Sequence, residues 1–217
     1  MQGNSFGKAF CVTTFGESHG HGVGVIIDGC PSGVKLSQGD FAEAVERRRP
    51  GRHDLDTSRC EADEVRIVSG VFEGATTGAP ICLLVFNTDV DSKPYQVVRT
   101  VFRPGHADYT YYRKWGHFDF RGGGRASARE TVSRVAAGVV AGRILEPAGV
   151  EVSARTIELG GIRAEALDEG NKQKNRMRCP DTRAFERMED KIAQTKKSKD
   201  SLGGIVEVRV VNCPAGL

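Results

Sequence analysis

The sequence lacks any apolar run near the roughly 20 residues that a membrane-spanning helix needs; its longest candidate is the short stretch from Val23 to Ile27. Met1 to Phe10 has neither an apolar signal core nor an arginine-rich presequence, so the expected location is the cytoplasm, with no membrane partner. The six cysteines (Cys11, Cys30, Cys60, Cys82, Cys179 and Cys213) are scattered, without a CxxC pair or a Cys/His spacing that builds a zinc site. Buried free thiols and no metal are expected. No Gly-Lys-Ser/Thr follows a glycine run and no GxGxxG occurs, which removes the Walker A and dinucleotide-fingerprint readings. Short repeats and low-complexity tracts are also missing. A net charge of +3 is too small to argue for nucleic acid by itself.

What remains is an ordinary globular composition, 39% hydrophobic and 27% charged over 217 residues, enough to bury a proper core. The arginines are not evenly spread. Arg47, Arg48, Arg49 and Arg52 form one cluster and Arg121, Arg125, Arg129 and Arg134 another, both beside glycines, which suggests discrete anion sites more than a broad basic face.

Phe10 to Phe15 and Val23 to Asp28 read as strands around the loop Gly16 to Gly22. Ser37 with Asp40 resembles a capping box, opening a helix that ends before Pro50 and Gly51. Glu64 to Phe72 and Ala79 to Phe86 predict a hairpin, and Asn87 to Gly124 is expected to be mostly loop, long enough to imply a function. Val132, Val135, Ala136, Val139 and Val140 form a helical apolar stripe backed by Ala137, Gly138, Ala141 and Gly142, which predicts a helix packed on both sides. A strand (Val150 to Leu159), a charged helix (about Asp181 to Lys197) and a last strand (Ile205 to Val211) follow. The expected fold is α+β, a β-α-β sandwich in which central helices, one beginning near Ala126, lie between antiparallel sheets.

Three segments carry chemistry. Gly16-Glu17-Ser18-His19-Gly20 matches the GxSxG nucleophile elbow of serine hydrolases, but that motif needs a helix after the turn, and Val23, Val25, Ile26 and Ile27 read as strand. The plain alternative is a polar hairpin loop whose Ser18 and His19 satisfy local backbone groups. Arg121-Gly122-Gly123-Gly124-Arg125-Ala126-Ser127-Ala128-Arg129 leads into the central helix, and glycines before a helix N-terminus present backbone N–H groups to anions. Arg125 and Arg129 share a helical face entering buried surface, so they require anionic partners, either a ligand or internal Asp and Glu. Arg103-Pro104-Gly105-His106-Ala107-Asp108-Tyr109 combines a turn with an imidazole that titrates near neutrality. Tyr109, Tyr111 and Tyr112 with Arg113 and Lys114 leave a non-catalytic phosphate- or RNA-binding module as a third reading.

Together with Arg47-Arg48-Arg49-Pro50-Gly51, Ser69 to Gly74, Thr77 to Ile81 and Glu130 to Gly138, these blocks resemble chorismate synthase. The resemblance resumes at Gly203-Gly204 and Pro214 to Leu217, and it identifies residues 1–217 as the N-terminal part of a single domain continuing beyond the chain end. It implies an anti-1,4-elimination of phosphate from 5-enolpyruvylshikimate 3-phosphate, with reduced FMN as cofactor, NADPH as a possible flavin reductant, and a homotetramer. By the same resemblance Ser18, Arg48, Arg103 and Arg129 bind substrate, Arg125, Ala126 and Ser127 contact flavin, and His19 and His106 are the catalytic acids. These histidines and arginines are expected to face one cleft. The family arginine shortly after Arg-Pro-Gly is replaced here by Asp54, with Arg52 as the nearest substitute.

Overall fold

In a computed structural model of the chain, residues 3–49, 63–88 and 91–216 are described. Pro50 to Leu55, with the Arg52 and Asp54 question, and Cys60 lie outside them. The chain divides into two compact units, the first holding the described residues up to Ile144 and the second those from Leu145.

In the first unit, strands β1 (Ser5–Phe6), β2 (Cys11–Gly16) and β3 (Gly22–Asp28) are followed by helix α1 (Ala42–Arg48) and strands β4 (Arg66–Ser69), β5 (Val71–Phe72), β6 (Ala75–Thr76) and β7 (Ile81–Phe86). Helices α2 (Asp108–Trp115) and α3 (Thr131–Leu145) complete it. One five-stranded sheet runs β1-β2-β3-β7-β4, and every pairing among the described residues is antiparallel. The expected hairpin of β4 and β7 forms, with the small β5–β6 hairpin inserted between them.

Alternation decides which face of this sheet is buried. Val23, Val25 and Ile27 point inward from β3, and Ile81, Leu83 and Val85 do so from β7, each at most 2% exposed. Val132, Ala136, Ala137 and Val140 of α3 join the same cluster. Each buried valine there is worth about 1.5–3 kcal/mol relative to exposure. Open space surrounds Gly138 and Gly142 on another part of α3.

The second unit contains β8 (Glu151–Leu159), β9 (Ile162–Arg163), α4 (Glu169–Lys172), α5 (Thr182–Ser198) and β10 (Gly204–Val211), with an antiparallel sheet ordered β10-β8-β9. Asp181 caps α5 by accepting from Ala184 N–H and also accepts from Glu165 and Ala166 N–H. These backbone donors, Ala166 first, hold its carboxyl down at about 2.

The mixed α+β class is as expected, but one local reading gains detail and another changes. Asn87 to Gly124, loop over most of its length as expected, also holds a 3₁₀ helix, Lys93–Arg99, and an α-helix, Asp108–Trp115, closed by Gly116 at φ +72°. The central helix begins at Thr131 and not near Ala126, because Ser127 is extended (φ −67°, ψ 145°) and splits the approach into two 3₁₀ turns, Gly124–Ala126 and Ala128–Glu130. No helix among the described residues is long and apolar enough to cross a membrane.

Candidate active site

The Gly-Glu-Ser-His-Gly segment connects two antiparallel strands, β2 and β3, so no strand–turn–helix elbow exists and the hydrolase geometry fails. Gly20 N–H donates to Glu17 C=O at 3.1 Å, which makes Ser18 and His19 the central residues of a tight turn. Ser18 is 2% exposed and its N–H donates to Gly124 C=O at 3.2 Å. The tyrosines offered to RNA lie on α2, not across strands as a stacking platform would require.

Gly122 explains part of the glycine run. Its φ is +56°, and a Cβ there would stand 2.4 Å from His19 Cδ2 and 2.8 Å from Ser18 Oγ. The run therefore lets the backbone approach the Ser18-His19 turn. Its expected role as a helix-terminal anion cradle is reduced, since Gly124 and Ala126 N–H groups donate to Arg121 and Gly123 carbonyls and α3 starts farther on. Ser127 Oγ accepts from Arg129 N–H at 3.2 Å, and Ala126 is exposed beside it.

His19 Nδ1 is 3.0 Å from Ser92 Oγ, and its ring meets Tyr95 edge-on at 5.0 Å. Arg103 approaches the same Tyr95 ring at 5.7 Å. Asp108 holds Arg103 with two parallel bonds, Nε to Oδ2 at 2.8 Å and Nη2 to Oδ1 at 2.9 Å, while Nη2 also donates to Gly122 C=O at 2.7 Å. The Arg103 guanidinium keeps the Asp108 carboxyl below its usual range despite burial, and the pairing raises Arg103 in turn. His106 stands exposed on the turn closed by its N–H to Arg103 C=O, with Gly105 at φ +75°. Arg103 and Asp108 thus connect to both histidine-bearing segments.

Arg48 and Arg129 converge on one carboxylate that sequence reasoning did not single out. Asp63, its side chain 0% exposed, accepts from Arg48 Nη1 at 3.3 Å and from Arg129 Nη1. Arg48 also donates to Thr131 Oγ1 and Ala128 C=O, so it is tied to the turn that carries Arg129. Arg129 further donates to Asn87 Oδ1 and Phe86 C=O. Asp63 has φ +51°, a left-handed conformation costly for most side chains but tolerated by Asp.

Arg125 has a different environment from the one its position suggested. Its guanidinium donates to Thr14 Oγ1, Gly16 C=O, Asn4 Oδ1 and Glu130 Oε1, so protein groups along β2 engage it. It also borders a cleft of about 780 Å³ walled by Tyr111, Tyr112, Phe118 and Phe120 and carrying Arg99 and Arg121. Asp119 grips Arg121 through Nε and Nη2, both at 2.8 Å; burial works against its ionisation, but the Arg121 bonds outweigh it and lower the carboxyl. Aromatic walls beside fixed cations suit a planar ring system that bears an anionic tail.

Against known proteins, the family profile described as chorismate synthase matches residues 10–217. A chorismate synthase of Desulfatibacillum aliphaticivorans is 52% identical over 217 residues, covering 100% of this chain and 61% of that protein. One of Methanocella arvoryzae is 49% identical over 221 residues and is covered to 59%. A solved structure described as chorismate synthase superposes with a TM-score of 0.73 at 27% identity, over 95% of this chain and 60% of the other. The chain thus spans about three-fifths of the length of the relatives it matches.

Proposed function

Because the chain belongs to the chorismate synthase family, we propose that the complete protein eliminates phosphate from 5-enolpyruvylshikimate 3-phosphate to give chorismate, using reduced FMN. The observation that carries this reading is the convergence of Arg48 and Arg129 on Asp63, and of Arg103 and the His19 turn on Gly122 and Tyr95, within one connected set of side chains. A substrate with one phosphate and two carboxylates needs several fixed cations, and guanidinium groups suit both anion types.

In this reading Ser18, Arg48, Arg103 and Arg129 hold the substrate, with Asp63 and Asp108 keeping three of those arginines in place. His19 donates a proton to the departing phosphate oxygen, and His106 donates toward the negative charge of the reduced cofactor. The cleft walled by Tyr111, Tyr112, Phe118 and Phe120 and bordered by Arg125 and Ala126 would hold FMN, with Ser127 adjoining it. FMN held in that cleft in its reduced form would supply electron density to the substrate and a base for its ring proton. By family likeness the assembly is a cytoplasmic homotetramer acting on a small molecule, with NADPH as a possible reductant of the flavin.

The test is chorismate formation from the phosphorylated substrate and photoreduced FMN by the complete protein and by its His19→Ala variant. Turnover is expected to fall by about 10²- to 10⁴-fold, the range for losing a general acid, with flavin affinity nearly unchanged. Retained turnover would remove His19 from the chemistry, and an inactive wild type would end the proposal.

A further inference from the structure

Asn87, one residue beyond β7, makes four directed hydrogen bonds. Its Nδ2 donates to Glu17 C=O at 3.0 Å and Gly20 C=O at 2.9 Å, its Oδ1 accepts from Arg129 Nε at 3.0 Å, and its backbone N–H donates to His21 C=O at 3.0 Å. The amide orientation is fixed by its neighbours: two carbonyls can only accept and a guanidinium can only donate. The two carbonyls are the ends of the turn whose centre is Ser18-His19, so one side chain brackets that turn and joins it to a buried arginine.

Resting on the function proposed above, we propose that Asn87 is a positioning residue that fixes the Ser18-His19 turn relative to Arg129, and so sets the proton donor relative to the substrate anion. The amide does this through opposite ends, which makes the two duties separable. Asn87→Asp keeps the volume and the acceptor for Arg129 but replaces both donors with an oxygen facing two carbonyls. The turn loses its anchor while the arginine keeps its partner.

The experiment is steady-state kinetics of the complete protein with reduced FMN, comparing wild type, Asn87→Asp and Asn87→Ser, alongside thermal melts. Misplacing a reacting group by about 1 Å costs on the order of 10²-fold, so Asn87→Asp is expected to lower kcat by about 10- to 100-fold, with KM for the phosphorylated substrate raised as well by the negative charge added beside Arg129. Asn87→Ser, too short to reach either side, is expected to lower kcat and raise KM together. A lowered melting temperature with wild-type kcat in Asn87→Asp, or a raised KM with kcat intact, overturns the inference. If Asn87→Asp does not fold, wild-type kcat in Asn87→Ser overturns it equally. An active wild type with unaffected variants refutes this role alone, whereas an inactive wild type refutes the function beneath it.

Discussion

Replacing Asp63 by Asn isolates one charge in the interior. Asparagine has nearly the same shape and tolerates the left-handed backbone at φ +51°, so the change removes the negative charge with little backbone penalty. Asp63 is the carboxylate between Arg129, 4% exposed, and Arg48, 16% exposed. Breaking a buried ion pair by removing one partner costs about 3–5 kcal/mol, because the other charge stays uncompensated in a poorly solvated place. Arg129 retains bonds to Asn87 Oδ1 and Phe86 C=O, and Arg48 retains Thr131 Oγ1 and Ala128 C=O, which argues for the lower end, about 3 kcal/mol. At about 2–4 °C per kcal/mol for a chain of this size, the transition of the first unit should fall by roughly 6–12 °C. The assay is thermal unfolding followed by near-ultraviolet circular dichroism, for Asp63→Asn, Arg129→Gln and the double variant. The double variant should be milder than the sum of the singles, since no charge is then stranded at Arg129 and only the more exposed Arg48 has lost its bond to Asp63. A shift below about 2 °C, or strict additivity, would refute the claim that Asp63 neutralises this arginine pair.

Two further outcomes follow from other parts of the chain. Gly122→Ala places a methyl 2.4 Å from His19 Cδ2 at a positive φ, so turnover should drop by at least about 10-fold and stability by about 1 kcal/mol or more; kinetics at wild-type rate would show that His19 need not sit where it does. Asp181, depressed from 3.8 to about 2 by backbone donors, contributes stability that is present above its unfolded value and lost as pH falls from about 4 through 2. After allowance for solvent screening that contribution is about 1–2 kcal/mol. Urea unfolding of the second unit at pH 5 and pH 2.5 should show that loss in wild type and much less of it in Asp181→Asn.

The elements that were legible in the sequence are those whose burial follows one period. Val23, Val25 and Ile27 marked β3, the stripe from Val132 to Val140 marked α3, and the charged run from about Asp181 to Lys197 marked α5. Helix α2 escaped because Asp-Tyr-Thr-Tyr-Tyr-Arg-Lys-Trp buries only Asp108, so no apolar stripe marks it. Its signals were at the ends, an acid in the first turn, Arg113 and Lys114 in the last and Gly116 beyond. The histidines and arginines of the site stood out through residue type and family likeness, but the residues that hold them did not. Asp63 lies 15 and 66 positions from its two arginines, and Asn87 lies 70 and 67 from the carbonyls it bridges. No local pattern encodes such pairings. The one available clue was electrostatic: arginines entering a buried face require anions, and the chain supplies Asp63 to Arg129 and Glu130 to Arg125 from within. In the clamp of Arg48, Asp63 and Arg129, one buried carboxylate joins two arginines from different elements, and Asn87 ties the second of them to the turn that carries His19. Pairing of this kind fixes where the guanidinium groups stand, so internal neutralisation of these arginines does not by itself argue against substrate binding.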